Sequence, residues 1–310
     1  MAYAERFDQT RKTTFQDQAK LAVQNMANVL RATVTEYNEM ASEQDSPVTY
    51  YDPVTAQRRS GRGATITDNP ANRRRRWLKY QDPIYSGELI DTADKFRGME
   101  NFQSPLMQAH TAAVRRGIDS IILEGIFGDA YEGKLGSTVI PFPSTQTVGV
   151  IVQSGVGVSA VGMNLRKIQT SRKMFAAANF DLNQEQPYLL LTAQQIDDLS
   201  AEIQLLSKDY VDEAGPQFSR DGKLSKVWNH WIVEYQGLPS KANTAGGGLT
   251  SQRNVAFMKS TIALGVWKDV TFHTNTQPQM FDELYMWADA YMDCRRLDEK
   301  GVIEIESKLT

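Results

Sequence analysis

At 310 residues, with 34 Lys and Arg against 37 Asp and Glu, the chain carries a net charge of -3, which excludes a binder whose whole surface is basic. Its one cysteine, Cys294, excludes an internal disulfide framework and a multi-cysteine zinc site. The length allows about two domains or one large one, and a mean hydropathy of -0.44 puts much of the chain in polar, extended or contact-forming segments.

The N-terminus, MAYAERFDQTRK, has no apolar signal-peptide core, and no segment approaches the roughly 18 apolar residues of a membrane span. A soluble, non-secreted chain is expected. Residues 14–40 place Phe15, Ala19, Ala22, Met26, Val29, Leu30, Val34 and Tyr37 at spacings of three and four, which predicts one long amphipathic helix. From 41 to 85 the apolar period disappears. Short strands are expected at Val48–Tyr51, Ala64–Thr67 and Trp77–Tyr80, inside a segment with little capacity to form a core. Such segments in compact proteins tend to be functional or disordered, so an ordered one must be held either by its own domain or by a neighbouring molecule. Ser104 and Pro105 open a helix that should run to Phe127 and stop at Gly128, with Met107, Val114, Ile118, Ile121, Ile122 and Gly125 on its apolar stripe.

Residues 128–163 read as turns and short strands. A basic amphipathic helix follows from Asn164 to Asn179, then a buried strand at Tyr188–Leu191 and a helix opened by a Thr192/Gln195 capping box. Strands are expected at Trp228–Tyr235, Val255–Met258, Val270–Thr274 and Met280–Cys294, with a Gly-rich tip at Asn243–Thr250. A turn at Asp298–Gly301 leads into a last strand, Val302–Glu306. This order is α+β rather than a regular βαβ repeat.

Several motifs look like chemistry and are not. Gly128 to Leu135 nearly spells a phosphate loop, but Leu135 stands where a magnesium-binding hydroxyl is needed, and the segment follows a helix instead of a strand. Gly155, Gly157 and Gly162 have the wrong spacing for a dinucleotide fingerprint. His110, His230 and His273 are isolated, Cys294 has no partner signature, and Asp197-Asp198 and Glu304/Glu306 read as solvated faces. No catalytic, cofactor or metal residue is assigned.

The conspicuous charge feature is Arg58, Arg59, Arg62, Arg73, Arg74, Arg75, Arg76 and Lys79, opposed in that stretch only by Asp68 and followed by Glu88, Asp91 and Asp94. A sequence-independent nucleic-acid interface over 58–79 is one reading. Four consecutive arginines in an extended strand alternate to both faces, so only half could follow one phosphate strand. Arginine also forms bidentate pairs with carboxylates, so ion pairing between subunits is preferred.

The series DNPANRRRRWL (68–78), YSGELIDTADKFRGM (85–99), SPLMQAHTAAVRRGIDSIILEGIFG (104–128) and AYEGKLG (130–136) resembles the major capsid proteins of tailed bacteriophages, the group with the Hong Kong 97 phage capsid fold. The terminal DCRRLDEKGVIEIES (293–307) resembles their closing strands. The resemblance implies an N-terminal arm over 1–45, an extended E-loop over 46–85, a P-domain over 86–164 with a spine helix at 104–127, an A-domain over 165–275, and C-terminal strands returning to the P-domain over 276–310. It further implies a non-enzymatic shell protein that assembles with itself as hexamers and pentamers around phage double-stranded DNA. A separate scaffolding protein and a portal are the other implied partners, with no membrane; whether a decoration protein joins them is left open by the sequence. The chain would reside in the virion, and in host cytoplasm during assembly. An encapsulin-like cellular shell is the alternative within the fold. The expected intersubunit contacts are the seven arginines with Glu88, Asp91 and Asp94, and replacing Arg73–Arg76 by alanine is expected to leave a folded chain that no longer forms shells.

Overall fold

The computed structural model describes residues 28–38, 44–58, 61–62, 68–90, 103–152, 160–201, 217–218, 224–243, 249–278 and 283–309. In chain order the elements are β1 (Thr35–Tyr37), β2 (Ser46–Tyr51), β3 (Arg73–Leu78), β4 (Ile84–Ile90) and helix α1 (Gln103–Phe127). There follow β5 (Ala130–Glu132), β6 (Thr138–Ile140), β7 (Thr147–Val148), α2 (Leu165–Ala177), β8 (Tyr188–Leu191) and α3 (Ala193–Ser200). The rest is β9 (Gln217–Phe218), β10 (Leu224–Val227), β11 (His230–Glu234), β12 (Ser240–Asn243), β13 (Leu249–Phe257), β14 (Ile262–Gln277), β15 (Glu283–Arg296) and β16 (Val302–Lys308). They form three sheets: β1-β14-β15-β4, β2-β3-β5-β6, and a larger one ordered β7-β16-β13-β8-β11-β10-β9 with β12 also on β13.

Helix α1 lies across the first sheet. Val114, Ile118, Ile122 and Ile126, four apart, are buried, and they share one core with Ala288, Ala290, Met292 and Cys294 of β15. Each such aliphatic burial is worth about 1.5–3 kcal/mol. The stripe starts later than expected, since Met107 is 39% exposed. At Gly125 helix and strand are so close that a Cβ would stand 2.2 Å from the Cys294 carbonyl oxygen. Gly125→Ala is therefore expected to cost about 1–3 kcal/mol through overpacking, read as a lower urea midpoint; an unchanged midpoint would refute the contact. Past the helix, fully buried Arg296 donates through Nη1 to the carbonyls of Ile126 (2.6 Å) and Gly128. Burial lowers its pKa to about 10, so it stays cationic beside the negative end of the helix dipole.

The N-terminal expectation is corrected here. Residues 14–27 lie outside the described residues, and the helix does not continue to 40: Arg31–Thr33 is a 3-10 turn and β1 pairs in parallel with β14. Tertiary contacts override the helical spacing. The buried carboxylate of Asp119 on α1 accepts the N–H groups of Leu30 (3.1 Å) and Val29 (3.3 Å), and Leu30 and Val34 sink into the α1 core. Burial raises the Asp119 pKa to about 6, against the opposing pull of those two N–H groups.

The larger sheet separates two cores. Leu190, Val255, Phe257 and Val302 point to the α1 side, while Leu189, Leu191, Ala256, Met258, Ile303 and Ile305 point to the α2 side. Burial on both faces explains the unbroken apolar run of β8. Helix α2 is capped by Asn164, whose Oδ1 accepts the Lys167 N–H at 2.9 Å. The capping box of α3 is present, with Gln195 Oε1 accepting the Thr192 N–H at 2.8 Å.

The strand expected at Trp228–Tyr235 is instead the turn and second arm of a hairpin, because Trp228 (φ 46°) and Asn229 (φ 67°) are both left-handed and join β10 to β11. Two left-handed central residues are what a tight type I′ turn requires. Trp77–Tyr80 is replaced by β3, which starts at Arg73 and ends at Leu78; Ala64–Thr67 and the Gly-rich tip at 244–248 lie outside the described residues. Glu304 and Glu306 are not solvated: both are buried, and Glu304 makes two bonds to Arg253 at 2.7 and 2.8 Å.

His230 is fully buried. Its Nδ1 lies 2.9 Å from the Trp228 carbonyl and its Nε2 3.2 Å from Ser171 Oγ, and burial pushes its pKa down to about 4. The folded chain holds the neutral ring while the unfolded chain binds a proton below about 6.5, so this contribution to stability is lost as pH falls from 6.5 towards 4. In denaturation against pH, His230→Gln is expected to flatten that window by about 3 kcal/mol; parallel curves for the two proteins would contradict it.

Candidate assembly interface

The arginine run forms β3, the second strand of the β2-β3-β5-β6 sheet. Alternation divides it. Arg73 and Arg75 are exposed, Arg74 is half-buried, and Arg76 is 1% exposed. Arg73 lies over the Tyr51 ring at 5.4 Å, and Arg75 pairs with no described carboxylate. Arg74 Nε donates to Asp52 at 3.0 Å, a half-buried pair at the surface of modest energetic weight.

Arg76 belongs to its own chain's interior. Its Nη2 donates to both Glu299 oxygens (2.7 and 2.8 Å), Nη1 to Glu132 (3.2 Å) and Nε to the Leu297 carbonyl (3.1 Å). The expectation that it reaches a neighbouring subunit is thereby corrected: strand alternation turns it inward, where it binds β3 to β5 and to the turn before β16. Trp77 adds a second tie, donating from Nε1 to the Gly133 carbonyl at 2.7 Å.

Outside this hub lies a groove of about 630 Å³ lined by Thr49, Tyr51, Arg73, Arg75, Gly133 and Lys134 among others. The one carboxylate lining it, Glu132, is held by Arg76, so the groove presents a net positive surface for an anionic group. Beside it stand Leu135 (68% exposed, φ 56°) and Val139 (52%). The near-phosphate-loop Gly128–Leu135 is a helix end, strand β5 and a 3-10 turn.

The other candidate residues are scattered. Arg58 and Arg62 are exposed on the long β2–β3 connection, while Arg59, Asp91 and Asp94 lie outside the described residues. Lys79 donates to Asp45 at 2.9 Å and covers the Tyr131 ring. Glu88, on β4 in a different sheet, turns toward α1, where its Oε2 is 3.9 Å from His110 Nε2. Sequence reasoning missed Lys134, Tyr51 and the two carboxylates of the hub. Glu132 could have been suspected as the nearest acid after α1; Glu299 carries no sequence signal. Among the described residues no group of three or more His, Cys, Asp or Glu is placed to hold a metal ion. Cys294 is fully buried, with its thiol pKa pushed well above the ordinary range by desolvation. No helix among the described residues is long and apolar enough to cross a membrane.

A family model described as phage capsid protein matches residues 7–308. A search of curated proteins finds no match. Among solved structures, the capsid of cyanophage Pam1 superposes with a TM-score of 0.71 at 10% identity, covering 97% of each chain. The capsid of Ralstonia phage GP4 gives 0.69 at 11% identity over 96% of each chain. That of cyanophage P-SCSP1u gives 0.68 at 14%, covering 96% of this chain and 93% of its own.

Proposed function

Because the chain belongs to the phage capsid protein family and has the Hong Kong 97 phage capsid fold, we propose that it is a major capsid protein that assembles with itself into an icosahedral shell around phage double-stranded DNA. The observation that carries this reading is the family match over nearly the whole chain, 7–308. Its role is structural. Many weak contacts per subunit, multiplied by closure of the lattice, give a stability that no isolated pair needs. In this reading residues 1–45 are the N-arm, 46–85 the E-loop, 86–164 the P-domain, 165–275 the A-domain and 276–310 the closing strands. Hexamers and pentamers build the shell, with a scaffolding protein and a portal during assembly in the host cytoplasm.

Within that reading the intersubunit contacts are made by Arg58, Arg59, Arg62, Arg73, Arg74 and Arg75, with Glu88, Asp91 and Asp94 as acidic counterparts. Purified protein, alone or with its scaffolding protein, is expected to give closed particles by negative-stain electron microscopy. Particles filled with protein cargo would favour the encapsulin-like alternative. A persistent monomer that binds DNA with a steep salt slope would favour the nucleic-acid reading.

A further inference from the structure

The basic helix α2 has no part in the contacts described so far. From Gly133 to Phe180 the sequence has no Asp or Glu, although the chain holds 37 of them, and five cations fall in that stretch: Lys134, Arg166, Lys167, Arg172 and Lys173. The last four lie on α2, and the fold sorts them. Lys167 is fully buried and spends its ammonium on the carbonyls of Val161 (3.0 Å), Gly162 (2.8 Å) and Glu306 (2.8 Å), with Asp198 near it. Arg166, Arg172 and Lys173 are exposed and pair with no described carboxylate. Asp181, the first acid after the helix, accepts the Asn183 N–H at 2.9 Å.

This cationic face is held still from behind. On the buried side of α2, Ser171 Oγ lies 3.2 Å from His230 Nε2, and Phe175 packs on the same ring with centroids 6.3 Å apart. Asn229 donates from Nδ2 to the Leu182 carbonyl at 2.8 Å, so the tight β10–β11 turn is fixed both to α2 and to the loop after it. That turn presents Trp228, 37% exposed, and the Arg172 guanidinium lies over its ring at 5.9 Å. A cation braced on an aromatic ring has less freedom to lose on binding.

The layout limits what the face can hold. Arg166 and Lys173 are seven residues apart, two turns along one side of the helix and so about 10 Å from each other. One phosphate or carboxylate cannot join them, whereas a polyanion can. Around them stand exposed Ala176 and Ala177 and half-buried Gln169 and Thr170, small or polar side chains without the large apolar anchors on which protein interfaces depend. The one aromatic nearby, Trp228, already carries Arg172. Cations on a smooth polar surface suit the backbone of a duplex, where phosphate contacts need charge and position and no reading of bases.

Resting on the capsid reading above, we infer that the exposed face of α2 lies on the inner side of the shell and meets the phosphate backbone of the packaged double-stranded DNA through Arg166, Arg172 and Lys173. Three charges bind weakly in one copy, and repetition over the lattice adds the contacts together. Arg166→Gln/Arg172→Gln/Lys173→Gln is expected to keep the urea midpoint and the shell yield of wild type. In unassembled subunits binding a random-sequence duplex, it should make the slope of log affinity against log salt shallower by about 2–3, at roughly 0.9 per phosphate. An unchanged slope overturns the inference, and so does loss of shells by a folded variant, which assigns the face to a protein contact. In DNA-filled particles with Lys173 replaced by the photocrosslinking residue benzoylphenylalanine, irradiation is expected to give protein–DNA adducts; adducts to protein alone, or none, also overturn it. A wild-type chain that forms no particles under any condition counts against the capsid reading instead.

Discussion

Arg76→Ala is expected to lower the stability of the unassembled subunit by about 3–5 kcal/mol, the usual cost of removing one partner from a buried ion pair. Against a typical domain stability of about 5–15 kcal/mol, that is a large share of the whole. The loss is large because one guanidinium serves Glu132, Glu299 and the Leu297 carbonyl together. Alanine leaves all three short of a donor, with Glu299 only 17% exposed. Arg76→Lys keeps the charge but not the fork that grips both Glu299 oxygens, so its urea midpoint should fall between those of wild type and alanine. A midpoint for Arg76→Ala equal to that of wild type would remove the hub from the account.

The double variant Arg73→Ala/Arg75→Ala should behave in the opposite way. Both side chains are exposed, and surface substitutions of this kind usually shift stability within about 0.5 kcal/mol each. The subunit should therefore melt as wild type. What it loses is the cationic lip of the groove; if, as proposed, that lip is an assembly contact repeated by every copy, a modest change per subunit becomes a large change in particle yield. Sedimentation and negative-stain microscopy should show folded subunits and few or no closed shells. Normal yield would exclude the groove as an assembly contact. Replacing Arg73–Arg76 together, which the sequence pattern presents as a surface change, is accordingly expected to lower subunit stability as Arg76→Ala does, as well as shell yield.

That contrast shows where the residues alone were informative. The RRRR run was legible as an extended strand with two faces, but which face met solvent depended on Glu299, more than two hundred positions away. Helix α1 was legible almost to the residue because Ser104, Pro105 and Gly128 punctuate a strong four-residue apolar spacing. The same spacing misled between Val29 and Tyr37, where Asp119 and β14 supply the backbone partners that a helix would otherwise supply for itself. Trp228 and Asn229 concealed a tight turn, since neither is the glycine that usually marks one. Glu304 and Glu306 looked exposed by alternation, and only the neighbouring β13, with Arg253, shows why carboxylates can sit inside.

The sheet that divides the two cores also has a mechanical meaning. Its strands β8, β13 and β16 send successive side chains into opposite cores, so the two sides share one hydrogen-bonded wall and have no seam between them. A load applied to the α2 side therefore reaches the α1 side across one continuous hydrogen-bonded sheet. The two cores can therefore move apart only by bending or unpairing those strands, and not by opening a cleft between them.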